Sequence, residues 1–221
     1  MKLPQTTVGF GLAFLLCPFF LVQAFSPTVH AVPQSYDPLI IRGDIAVEHV
    51  YLGDLAGDPH MYEFTVGEPS SLALTLRQED SDTPLPLGLI VVSVEENNRG
   101  VVEVGRLLGD TTLWKSERES TYGLTLLKSQ PFTTDLKPGT YRIEVSTPEN
   151  KGKYLLKVGS IPDERGYFET LGDIRAVQTF FGASVFSMIF SQHVYLPVGV
   201  LLMGLVLFLT WRKRRVITNH A

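Results

Sequence analysis

Apolar and polar positions alternate in short runs along most of the chain. Tyr62, Phe64 and Val66 are interleaved with Glu63 and Thr65, and Leu72, Leu74 and Leu76 with Ala73 and Thr75. Leu89 to Val94 is a denser apolar run, as expected of a strand covered on both faces. Val102 and Val104 follow a turn signal at Asn97–Gly100, which predicts a hairpin. Leu124 and Leu126, then Tyr141, Ile143 and Val145, then Tyr154, Leu156 and Val158 complete the series. Gly, Pro, Asp and Asn interrupt the alternation every 8–12 residues or so, the spacing of an all-β sandwich or barrel. An antiparallel β-sandwich is therefore expected over residues 36–160. No part of that stretch carries a helical period.

The pattern changes after a Gly-, Pro- and Asp-containing linker at 161–166. Tyr167, Leu171, Ile174, Val177, Phe181, Val185 and Met188 recur at spacings of three and four, the stripe of an amphipathic helix over 167–191. Thr170 and Asp173 have the spacing of a cap at its start. Thr179, Ala183, Ser187 and Ser191 form a second stripe of small residues four apart, the pattern that lets helices approach closely. Residues 194–211 then contain no Asp, Glu, Lys, Arg or His. At about 1.5 Å per residue they reach roughly 27 Å, enough to cross a bilayer core of about 30 Å. Tyr195 and Trp211 stand at the two edges, where amphipathic rings favour the headgroup layer, and Arg212, Lys213, Arg214 and Arg215 follow at once. These cations predict a cytoplasmic tail over 212–221, with the preceding domain on the opposite side of the membrane. Two crossings do not fit between Ala176 and Trp211, so the helix over 167–191 is expected to lie at the interface and bend near Pro197 into a single span.

At the other end, Met1–Lys2 followed by an apolar run from Val8 to Val22 reads as a secretory signal peptide over 1–24. Small-residue cleavage patterns end at Ala24 and at Ala31. The first follows the apolar run more closely and is preferred, with a cut as late as 31 as the alternative.

Two stretches go beyond periodicity. Gly53–Val66 continues to Ser71–Leu76, and Asp135–Val145 continues to Gly152–Val158. Pro138–Gly139 in the second makes a tight turn, with Pro presetting φ. Together these stretches resemble the bacterial pre-peptidase C-terminal (PPC) type domain, a jelly-roll-like β-sandwich appended to secreted peptidases and other exported proteins. The resemblance covers roughly residues 40–159. The middle, Glu79 to Leu127, is longer and more irregular than the family pattern, and no peptidase unit accompanies it. Some domains of that family bind calcium. The acidic group Glu79, Asp80 and Asp82 could offer oxygens to calcium, although such a run is more often a solvated turn, and Asp54 and Asp58 are the motif-associated candidates beside it.

Composition narrows the function. Residues 32–165 carry 21 acidic and 13 basic side chains, whereas the last ten residues carry four cations and no acid. An acidic ectodomain argues against nucleic acid, whose phosphates it would repel. The sole cysteine, Cys17, falls in the signal segment, so the mature domain must be held by core burial without disulfides. Lipidation at Cys17 is not expected, because Leu16 precedes it and Pro18 follows. There is no Asn-x-Ser/Thr sequon. His49, His60, His193 and His220 lack metal-ligand spacing and a cysteine partner. Neither a nucleophile elbow nor a phosphate loop occurs, so no catalytic residue is nominated. No cofactor is expected, calcium being the one candidate, and no small-molecule substrate is expected. The chain reads as an all-β sandwich followed by a juxtamembrane amphipathic helix and one transmembrane helix. Its expected role is non-catalytic: the sandwich binds or positions a protein partner in or near the membrane. The alternative is a carbohydrate- or calcium-binding module tethered to the cell surface.

Overall fold

The computed structural model describes residues 24–25, 27–33, 37–95 and 100–218. The expected signal peptide up to residue 23, Cys17 within it, the Asn97–Arg99 part of the expected turn and His220 lie outside the described residues. Fourteen strands are described: β1 (Ala24–Phe25), β2 (Thr28–Ala31), β3 (Leu39–Ile40), β4 (His49–Ala56), β5 (His60–Val66), β6 (Ser70–Glu79), β7 (Gly88–Val94), β8 (Val101–Leu107), β9 (Lys115–Glu119), β10 (Leu124–Lys128), β11 (Phe132–Leu136), β12 (Gly139–Ser146), β13 (Lys151–Val158) and β14 (Glu164–Arg165). Helix α1 spans Tyr167–Phe180, a 3₁₀ helix Val185–Phe190, and helix α2 Gln192–Thr218.

The strands make a β-sandwich, as the alternation predicts. One sheet runs β3-β5-β12-β7-β8; the other runs β2-β4-β13-β6-β10-β9, with β11 also paired to β6. Tyr62, Phe64, Leu72, Leu74, Leu76, Tyr141, Ile143, Val145, Tyr154, Leu156 and Val158 all enter the core between the sheets. The period of two decides this, since alternate side chains of one strand share a face. The hairpin expected around residue 97 is formed by β7 and β8, with Val94 opposite Val101 and a register shift between Val91 and Val92. Leu89 and Val91 are fully buried, but Ile90 and Val92 on the other face are only half-covered, so β7 is buried on one side, not two.

Two features depart from a purely antiparallel sandwich beginning at 36. Strand β2 pairs parallel with β4, Thr28 opposite His49, and β3 pairs parallel with β5. The larger sheet thus reaches back to Thr28. Strands of two to four residues are too short to display a period, which is why alternation does not reveal them.

A polar thread runs through this core. The Tyr154 hydroxyl lies 2.8 Å from His60 Nδ1 and 2.7 Å from the Tyr62 hydroxyl. With the imidazole neutral, Tyr154 donates to His60 and accepts from Tyr62, so the three buried polar groups satisfy one another. Tyr154→Phe removes the hub and leaves both neighbours without a partner. A loss of about 1–3 kcal/mol is expected, read as a lower urea midpoint with an unchanged slope.

His60 is 4% exposed, and burial holds its pKa below the ordinary imidazole value, with the charge of Asp54 opposing. His30 and His49 are shifted down by burial as well. The unfolded chain takes up these protons near pH 6.5 while the folded chain resists them, so stability falls as pH drops below about 6.5. Thermal midpoints measured between pH 7 and 5.5 should decline, and His60→Asn should flatten the slope. An undiminished slope in that variant would place the linkage on the other two histidines.

Candidate membrane junction

Helix α1 does not lie free beside the sandwich. Val50 and Leu52 of β4 and Leu155 of β13 project from the outer face of the larger sheet, and Ile174 and Val177 of α1 pack on them with Tyr122. Both helix residues are 0% exposed, and Leu171, Phe180 and Phe181 border the cluster. The stripe read from the sequence is therefore real as far as Phe181, but its partner is the sheet. This corrects the expectation of an interfacial helix over 167–191. The helix also ends early. Phe181 N–H bonds the Val177 carbonyl, and Gly182 (φ +71°) takes the left-handed conformation that closes helix C-termini. Thr170 sits a turn inside the helix and donates to the Gly166 carbonyl, and Asp173 pairs with Arg165 at 3.1 Å, so the two do not form the expected cap.

Beyond Gly182 the chain returns to the turn between β9 and β10. Gln178 Nε2 donates to the Tyr122 carbonyl at 2.7 Å, and Ser191 Oγ to the Thr121 carbonyl at 2.6 Å. Gln192 N–H donates to the Ser120 carbonyl at 2.9 Å, and the Ser120 hydroxyl returns a bond to Gln192 Oε1 at 3.0 Å. Gly123 (φ +67°) closes the turn against the backbone of Phe190 and Ser191; a Cβ there would stand 2.7 Å from the Phe190 carbonyl carbon. Ser120, Thr121 and Gly123 of one turn thus hold the segment from which α2 starts, and Tyr122 between them holds α1.

A second fastener comes from α1. Pro197 lies within α2 and has no N–H to give the His193 carbonyl four residues back. The Tyr167 hydroxyl donates to that carbonyl at 2.8 Å. The helical segments part at Ser191, which is extended, Pro197 lies inside the helix that follows, and Tyr167 takes up the acceptor that the proline leaves. Under the turn, Arg77 of β6 pairs with Glu119 of β9, both largely buried, and the Gly123 N–H bonds the Glu119 carbonyl. Tyr122 is buried beside these charges, and burial pushes its phenol pKa far up. At the other side of the junction, Lys153 donates to the Phe180 carbonyl at 3.0 Å and Arg175 to the Ala183 carbonyl at 3.2 Å. Helix α2 itself is long and apolar enough over Gln192–Trp211 to cross a membrane.

The small residues four apart do not share one helix face. Thr179 is on α1 and bonds the Arg175 carbonyl, Ala183 lies past its end, and Ser187 is in the 3₁₀ helix. Only Ser191 is buried, against the β9–β10 turn. Among the proposed calcium ligands, Asp54 lies in β4, Asp58 in the following turn, and Glu79, Asp80 and Asp82 at the end of β6. Asp80 accepts from the Ser116 hydroxyl at 3.0 Å, and no group of three or more His, Cys, Asp or Glu side chains that could hold a metal occurs among the described residues. Tyr195 and Trp211 are exposed on α2, and Arg212, Lys213, Arg214 and Arg215 continue that helix. Sequence reasoning did not single out Ser120–Gly123 or Gln178. Gln178 had a signal, being a polar residue beside the stripe position Val177.

No family model matches the chain, and no curated protein matches it. Among solved structures it is similar to the pre-peptidase C-terminal domain of a collagenase from Bacillus anthracis, at 11% identity and a TM-score of 0.35, covering 57% of this chain and 98% of that one. It is also similar to CBM35 from Cellvibrio japonicus Abf62, at 19% identity and a TM-score of 0.27, covering 49% of this chain and 70% of that one. The first of these is the domain type that the turn motifs resemble.

Proposed function

We propose that this protein is a non-catalytic, single-pass surface protein that holds a β-sandwich in a fixed pose beside the membrane to position a protein partner there. The observation that carries the reading is the clamp. A tethered module needs only a flexible linker, whereas here the chain between sandwich and span is fastened by Ser191 and Gln192 to Ser120 and Thr121 and by Tyr167 to His193. Fixed orientation is useful when the bound object must meet something else in the same membrane. In this reading α2 crosses the bilayer and Arg212–Arg215 hold its far end on the cytoplasmic side.

Of the two cleavage patterns, the bonds of β2 favour the earlier. Thr28 accepts from Arg165 at 2.8 Å and donates to Asp163 at 3.2 Å, and β2 adds a strand to the larger sheet. A cut after Ala31 would delete that strand and these bonds, so cleavage after Ala24 is proposed. Mass determination of the mature N-terminus checks it.

The functional test is cross-linking and mild-detergent purification of the full chain from its native membrane, beside a Gly123→Val variant. A stoichiometric membrane partner retained by the first and lost or weakened in the second is the expected result. Equal retention by both would place recognition on the sandwich alone and overturn the positioning role.

A further inference from the structure

The 3₁₀ helix between α1 and α2 turns its apolar side chains outward. Val185 is 56% exposed, Phe186 72%, Ile189 58% and Phe190 56%. Four large apolar residues within six positions, open to solvent on a folded domain, call for a partner surface. Three observations say which. The segment carries no Asp, Glu, Lys or Arg, and none follows until Arg212. Only Ser191 separates it from α2, and the Gly123 turn packs against the backbone at that join, so the four side chains belong to the segment that leads directly into α2. Phe168 of α1 is 72% exposed, with its ring 5.7 Å from that of Tyr167, whose hydroxyl is bonded to His193 near the start of α2. Exposed apolar groups of two separate elements are thus linked to the start of α2, one through Ser191 and the other through Tyr167. Arg118, exposed on β9, places its guanidinium 5.7 Å from the centre of the Phe190 ring, a cation at the edge of the apolar patch where lipid phosphates would lie.

Resting on the reading of α2 as a membrane span, we propose that Val185, Phe186, Ile189 and Phe190 dip into the outer leaflet as a second membrane contact, with Phe168 beside them and Arg118 at the phosphate level. The occupant of the patch is lipid. Two anchoring points on one rigid body fix the tilt of the sandwich, which a single helix alone does not do. Side chains of this kind on a surface helix reach roughly 5–10 Å into the boundary between headgroups and acyl chains.

The test uses tryptophan as a depth reporter in the full chain reconstituted in vesicles whose lipids are brominated on the upper acyl carbons. Trp114 and Trp211 are the native tryptophans. A Trp114→Phe chain reports from Trp211. A chain with both replaced by Phe and carrying Phe186→Trp reports from the patch, and Ile189→Trp in the same background is a second reporter. Emission from each of these two patch reporters is expected to fall by about half or more, because rings at a depth of roughly 5–10 Å meet the bromines. Quenching of Trp211 with none at either patch reporter would overturn the proposal while leaving the span standing, with the patch facing protein or water. Absence of quenching at Trp211 as well would overturn the membrane reading itself.

Discussion

Replacing Glu119 with alanine should destabilise the protein by about 3–5 kcal/mol, among the largest losses expected of any single change in the sandwich. Glu119 is the partner of Arg77, whose side chain is 7% exposed. Removing the carboxylate strands a guanidinium that can neither reach water nor lose its proton. The residue also ends β9, at the start of the turn that grips the membrane segment. The loss is an effect of leaving one charge alone, not the net worth of the pair. The double variant Arg77→Met/Glu119→Leu should therefore recover most of the stability, since well-packed apolar residues often replace a buried ion pair without penalty. Urea unfolding of the full chain in detergent, followed by tyrosine and tryptophan emission, compares the three. A single variant within about 1 kcal/mol of the parent would show that water reaches Arg77.

The second large effect is on geometry more than on stability. Gly123→Val puts a branched side chain on a residue with φ of +67°, a conformation such residues avoid, and drives its Cβ into the backbone of Phe190 and Ser191. Backbone cannot rotate away as a side chain can. Either the turn deforms, at a cost of about 1–3 kcal/mol, or the 190–192 segment lifts off Ser120 and Thr121. The sheet pairings of β9 with β10 do not depend on that contact, so the sandwich should remain folded. The expected signature is a modest loss of thermal midpoint with greatly increased protease sensitivity between Gly182 and Gln192. Cleavage unchanged in that interval would mean that the turn does not hold the segment.

Much of this architecture is legible in the sequence, for local reasons. Tyr62, Phe64 and Val66, or Tyr154, Leu156 and Val158, announce strands because side-chain direction repeats every two residues whatever the tertiary context. The apolar helix α2 is legible because about twenty successive apolar residues long enough to cross a membrane stand out from any alternating pattern. The stripe at Leu171, Ile174 and Val177 correctly marks the buried face of α1, yet it cannot say what buries it. A sheet face with Val50, Leu52 and Leu155 and a lipid surface look alike from the side of the helix. The junction was illegible for a different reason. Ser120–Gly123 meets Phe190–Gln192 across about seventy residues, and its bonds run mostly to backbone carbonyls, which every residue carries. Gly123 is one glycine among 19, and only the fold reveals which of them touches another chain segment. Pro197 gave a local signal of a bend, but the need it creates at the His193 carbonyl is met by Tyr167, far back in the sequence.

If the clamp holds as described, the sandwich and the span behave as a single rigid body. With Cys17, the only cysteine of the sequence, replaced by Ser, a Thr65→Cys/Val206→Cys pair can be spin-labelled at exposed sites on β5 and α2. The distance distribution between the two labels, measured by pulsed electron resonance in a lipid nanodisc, tests this rigidity most directly. A single narrow distribution that broadens on adding Gly123→Val is the predicted result. A distribution already broad in the parent chain, and indifferent to that change, would contradict it.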